Sequence, residues 1–156
     1  MSEMRWTFDP LVRRNVSFNV NALRARAVAF HPDFYGAMSD SINAGDASDR
    51  LEAVWDLSRP LPPRTASRQA RAADGPALLL ERDGRPVVTG CPVEDGAVVE
   101  VPPDYERLRA RDRELSGAWR AATREVLAEV YAAGFEIGAV DPKGYRLVRP
   151  GEDRRR

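Results

Sequence analysis

Between Ser58 and Pro76 the chain reads SRPLPPRTASRQARAADGP, rich first in proline and then in arginine and alanine. It has no apolar face at either the helical or the strand period. A stretch that cannot bury one side against a core behaves as a linker. Any fold must therefore be assembled from the segments on either side: a first unit over 1–57, the linker 58–76, a second unit over 77–150, and a frayed, disordered tail, GEDRRR, over 151–156.

In the first unit, RWTFDPL alternates Trp6 and Phe8 against Arg5 and Thr7, the period-2 pattern of a strand, and Asp9-Pro10 ends it. The apolar positions from Leu11 to Leu23 predict a short helix, weakened by Asn15, Asn19 and Asn21. ARAVAF, Ala25 to Phe30, reads as a strand stopping at His31-Pro32, and RLEAVWDL as another, with a long polar loop between them. In the second unit ALLLER, PVVTG and AVVEV are short strands separated by Asp83-Gly84 and Asp95-Gly96. Those dipeptides accept the positive φ of tight turns, so a small meander is expected. A helical stretch follows Pro102-Pro103, with Asp104 as N-cap. Leu115, Trp119, Ala122, Val126 and Val130 recur on one helical face up to a stop at Gly134. FEIGAV and YRLVR, around Asp141-Pro142-Lys143-Gly144, form a closing strand pair. The expected class is α+β or α/β with a mixed sheet.

Composition narrows the function classes. Of 156 residues 43% are hydrophobic, enough to bury a core in one domain or two small ones. Lys+Arg and Asp+Glu balance at 24 each, so no net field draws the chain to nucleic acid or a membrane surface. A lone Cys91 and a lone His31 exclude a disulfide framework and thiolate or histidine-rich metal sites. Lys143 is the only lysine, which leaves little room for Schiff-base chemistry. No signal peptide or long apolar run is seen, and a soluble, cytoplasmic protein with no metal is expected. P-loop, dinucleotide, HExxH and paired CxxC motifs are all missing.

Reactive side chains concentrate in the loop from His31 to Arg50. Tyr35 is the best single candidate there, a phenol beside Phe34 whose hydroxyl could donate; its competing role is to anchor the loop. Asp46 and Asp49 could supply carboxylates for acid–base work, although Gly-Asp and Ser-Asp are also ordinary turn chemistry. On the long helix Arg120 and Arg124 stand one turn apart, and like charges at that spacing ask for something anionic between them. That is a substrate anion, or an acidic side chain such as Glu100 or Glu106.

The strings WTFDPL, RRN, FN, HPDFYGAMSDSINAGDASDR, AVWDL and GAWRAATREVL, in this order, resemble a family of predicted bacterial acetyltransferases of the GNAT superfamily. The likeness covers nearly the whole chain and is strongest from Trp6 to Leu57. It implies that a strand, a helix and two further strands form the second half of an acyltransferase fold, with acetyl-CoA as cofactor and an amine or similar small-molecule acceptor. By position, Trp6 and Phe8 would wall the wedge that takes the pantetheine arm, and Asn15 would contact that arm near the thioester. Tyr35, Asp46, Asp49 and Arg50 would lie on the acceptor side, with Tyr35 and Asp49 as the catalytic pair.

The superfamily's Q/R-x-x-G-x-G/A pyrophosphate loop is not found. It would lie upstream of WTFDPL, so this chain is expected to be inactive or incomplete alone, and completed by another polypeptide or a second copy along an exposed apolar sheet edge from Arg5 to Phe8. Arg24, with Ala22 near it, stands where relatives tend to have a lysine and a glycine ahead of the turn into the next strand. Two other readings compete: a non-enzymatic anion- or protein-binding module using Arg120 and Arg124, and a complete small enzyme built on the His31 to Arg50 loop.

Overall fold

The computed structural model describes residues 2–34, 48–61 and 74–150. It is an α+β protein with two sheets. The first holds β1 (Glu3–Phe8), β2 (Arg26–His31) and β3 (Arg50–Asp56) in the order β1-β3-β2, both pairings antiparallel. Register sets Met4 opposite Trp55, Trp6 opposite Ala53 and Phe8 opposite Leu51, so the apolar residues share one face. Arg5 and Glu52 fall on the other.

Between β1 and β2 the expected helix is present but not uniform. It begins as α1 (Arg13–Ser17) and widens into a π-helical turn over Phe18–Ala22, closed by the Leu23 amide donating to Phe18 O at 2.9 Å. The widened turn buries Val20 and Asn19 together. Arg24 then adopts a left-handed φ of 54°, the conformation that glycine takes at no steric cost.

The second sheet has the order β5-β4-β6-β8-β7. β4 (Ala77–Arg82) and β5 (Arg85–Val88) form the expected hairpin, with Asp83 and Gly84 at φ of 52° and 79°. The expected meander stops there. β6 (Val98–Val99) does not pair with β5; it crosses to the far side of β4, pairs with it in parallel, and pairs antiparallel with β8 (Gly144–Val148). Val98 and Val99 are both buried, so β6 needs cover on both faces. No residue of β5 is buried, its four positions being exposed or half-buried. β7 (Glu136–Asp141) completes the sheet beside β8.

The helical stretch after Pro103 breaks in two at Asp112, which is extended at φ −145° and ψ 93°. α2 (Tyr105–Arg111) is capped by Asp104, which accepts from the Arg107 amide at 3.1 Å. α3 (Arg113–Ala132) is capped by Asp112 itself, which accepts from the Leu115 amide at 3.0 Å. On α3 Trp119, Val126 and Val130 are buried as the periodicity predicts, and Gly134 ends the helix at φ 82°.

Segments 1–57 and 77–150 bury their apolar residues in one cluster: Phe8, Leu11, Val16 and Leu51 pack in the same core as Leu79, Trp119, Leu127 and Tyr145. Between them, β2 and β7 run alongside each other although they belong to separate sheets. Side chains join them instead. The Asn21 amide donates to Val140 O at 2.8 Å and accepts from the Val140 amide at 3.0 Å, a side chain doing the work of a strand residue. The buried Tyr131 hydroxyl donates to Ala27 O at 2.8 Å and accepts from the Ile137 amide at 3.3 Å. Arg26 pairs with Glu136 across the same seam. Burial pushes the Tyr131 phenol up, and it also raises Glu136 against the opposing pull of Arg26.

Gly144 opens β8 with φ 152°, and a Cβ there would stand 2.5 Å from Val99 O, against backbone that cannot yield. Gly144→Ala is expected to destabilise the protein by about 2–3 kcal/mol, read from urea unfolding midpoints.

Candidate functional site

Two constellations gather the described candidate residues. The first is ionic and joins the long helix to the turn after β1. Asp9 accepts from both terminal nitrogens of Arg120 at 2.8 Å and, through Oδ1, from the Leu11 amide at 2.9 Å. The Arg120 side chain is only 5% exposed and its guanidinium lies 4.9 Å from the centre of the Tyr105 ring. One turn on, Arg124 donates through Nε to both oxygens of Asp49, at 3.1 and 3.2 Å. Asp49 also accepts from the Asp33 amide at 2.9 Å and is 1% exposed. Arg50 bridges the two pairs, donating to Asp49 O at 2.7 Å and approaching Asp9 Oδ2 at 3.9 Å.

The arginine spacing on α3 thus has its anions, but they come from Asp9 and Asp49 rather than Glu100 or Glu106. Their sequence separations of 111 and 75 residues put them beyond any local pattern. Asp9 looked only like a strand terminator. Arg120 spends its fork on Asp9, and the Asp49 carboxylate is enclosed and bonded on both oxygens. These geometries make a structural clamp in which Arg120 and Asp49 are enclosed, while the Arg124 side chain stays 38% exposed.

The second constellation lies under β1. The half-buried Trp6 indole N–H donates to Asn19 Oδ1 at 2.9 Å, and Asn19 Nδ2 donates to Asn15 O at 2.8 Å. Trp6 also meets Trp55 edge to face, with centroids 6.4 Å apart. Phe8 is buried and Asn15 exposed; Val12, not Asn15, holds the N-cap position of α1. The residue that organises this group is Asn19, which sequence reasoning treated only as a weak helix former. Its signal was present in the pattern: an asparagine buried within an apolar helical stretch needs a partner for its amide.

Tyr35 and Asp46 lie outside the described residues. Of the loop they belong to, His31 carries the visible chemistry. Its Nε2 donates to Glu52 Oε2 at 2.8 Å, while Arg5 donates to Glu52 Oε1 at 3.0 Å, on the face of the first sheet opposite the core. These two bonds, His31 first, hold the Glu52 carboxyl below the usual range. Among the described residues no group of histidines, cysteines and carboxylates could hold a metal ion, and no helix is long and apolar enough to cross a membrane. Compared with known proteins, the chain matches no family model, no curated protein and no solved structure.

Two outcomes check these networks. Arg120→Met leaves Asp9 with one amide for three donors and is expected to cost about 2–4 kcal/mol. A double-mutant cycle with Asp9→Asn should then show strong coupling, the double variant losing far less than the sum of the single ones. For Glu52, a depressed folded pKa means stability that is present above its unfolded value and lost as pH falls through the folded one. Glu52→Gln is expected to unfold at lower urea than wild type at pH 7, with the two midpoints converging as the pH falls below the ordinary range of a glutamate carboxyl.

Proposed function

We propose that residues 3–56 are the strand–helix–strand–strand portion of a GNAT-like acyltransferase, and that β1 is the wall along which the pantetheine arm of acetyl-CoA lies. The observation that supports this reading is the outer edge of β1. β3 sits between β1 and β2, so β1 pairs on one side only among the described residues. Backbone donors and acceptors on the other side stay open to an extended ligand or a further strand. That edge is not uniformly apolar: Glu3, Met4 and Arg5 are exposed, Trp6 is half-buried and Phe8 buried. The Trp6–Asn19–Asn15 chain sits at the inner end of the edge, where resemblance puts the thioester, and it fixes the indole so that the wall is formed before the ligand arrives. Acyl transfer to an amine would then take place at this end, with the opposite wall supplied by a further strand, from another polypeptide or a second copy.

With one wall only, acetyl-CoA is expected to bind the isolated chain more weakly than micromolar by calorimetry. Pantetheine at millimolar concentration is expected to shift the Trp6 indole and Asn19 side-chain amide resonances. Micromolar affinity of the isolated chain, or shifts that leave Trp6 and Asn19 untouched, would overturn the reading.

A further inference from the structure

A cleft of about 790 Å³ opens between α2, the β4–β5 turn and the β7–β8 turn, on residues that the acyltransferase reading does not use. Its volume is that of a nucleotide-sized ligand site. Arg107 and Arg111 project into it from successive turns of α2, Lys143 from the β7–β8 turn, and Arg13 from α1. Arg13 is positioned by donating to Asp141 O, in the same turn as Lys143, at 2.5 Å. The side chains of Arg107, Arg111 and Lys143 have no hydrogen-bond or ion-pair partner among the described residues.

Three carboxylates also line the cleft, and each is committed to a backbone amide. Glu81 accepts from Gly84 N at 2.6 Å, Glu100 from Glu81 N at 2.6 Å, and Asp104 from Arg107 N at 3.1 Å. They serve the turn, the end of β4 and the helix cap, and none forms an ion pair with Arg107, Arg111 or Lys143 among the described residues. Two arginines one turn apart repel and weaken a short helix unless an anion lies between them. The apolar part of the wall that reaches solvent is formed by Pro103, Leu115 and Pro142, with Leu108 and Trp119 buried behind it. The Trp119 N–H donates to Gly84 O at 3.0 Å and holds the β4–β5 turn against that wall.

We infer that this cleft binds a nucleotide-sized organic phosphate carrying two or more negative charges. The phosphates sit between Arg107, Arg111 and Lys143, and the uncharged body lies against Pro103, Leu115 and Pro142. A multiply charged phosphate suits the site better than a single carboxylate, because several cations converge and arginine forks match phosphate oxygens in pairs. The inference is independent of the β1 wall and of acyl transfer.

The test is titration of the intact chain with ADP, inorganic pyrophosphate and adenosine, followed by calorimetry and by resonance shifts. ADP is expected to bind saturably, pyrophosphate about tenfold more weakly, and adenosine not measurably. Arg107→Ala with Arg111→Ala removes a repulsive pair on an exposed helix face and keeps the fold; it is expected to weaken ADP at least tenfold, Lys143→Ala severalfold, and Arg85→Ala not at all. Absence of saturable ADP binding, or affinity unchanged in the double arginine variant, would overturn the proposal. Shifts at Leu115 and Lys143 support the position of the ligand; ADP shifts confined to Trp6 and Asn19 overturn it.

Discussion

The pair between Asp9 and Arg120 ties the architecture together. Asp9 closes β1, receives the amide that starts the chain into α1, and takes both terminal nitrogens of an arginine from the middle of the long helix. One carboxylate therefore sets the exit angle of the edge strand and the rotation of α3. The neighbouring Pro10 carbonyl accepts from the buried Tyr145 hydroxyl at 2.5 Å, so β8 is anchored to the same turn. Burial pushes that phenol up and keeps it a donor. Because Arg120 is almost fully enclosed, losing its partner would strand a charge, and this gives the turn a rigidity that its residue types alone do not supply.

The seam between the sheets follows a different logic. β2 and β7 approach without exchanging ladder hydrogen bonds, and the open backbone groups are satisfied by Asn21 and by the Tyr131 hydroxyl. Side-chain bridges tolerate a separation and twist that a ladder does not. They let two separate sheets share one core, with Arg26 paired to Glu136 across the same seam.

The two proposed functions fall on different surfaces. At β1 a preorganised indole and an open backbone edge favour an extended ligand or strand. Across the molecule, the cleft beside α2 combines uncommitted cations with an apolar wall. The central arginines of α3, the most conspicuous cationic stripe in the sequence, line neither surface: Arg120 is enclosed with Asp9, and Arg124 is paired with the buried Asp49.

Much of the local structure was legible from residue types. Asp83-Gly84 specifies a hairpin because both positions must take positive φ, Asp104 announces a helix start, and the Trp119, Val126 and Val130 period marks a buried face. The like-charged arginines on α3 correctly demanded anions. What the sequence could not show was which ones, since Asp9 and Asp49 reach them only through tertiary packing. The placement of β6 beside β4 instead of β5, the π-turn that carries Asn19 beneath Trp6, and the convergence of Arg107, Arg111 and Lys143 on one cleft were likewise decided there. Local propensity is set by neighbours along the chain, whereas strand order, ion-pair partners and cavities depend on which distant surfaces must be buried together.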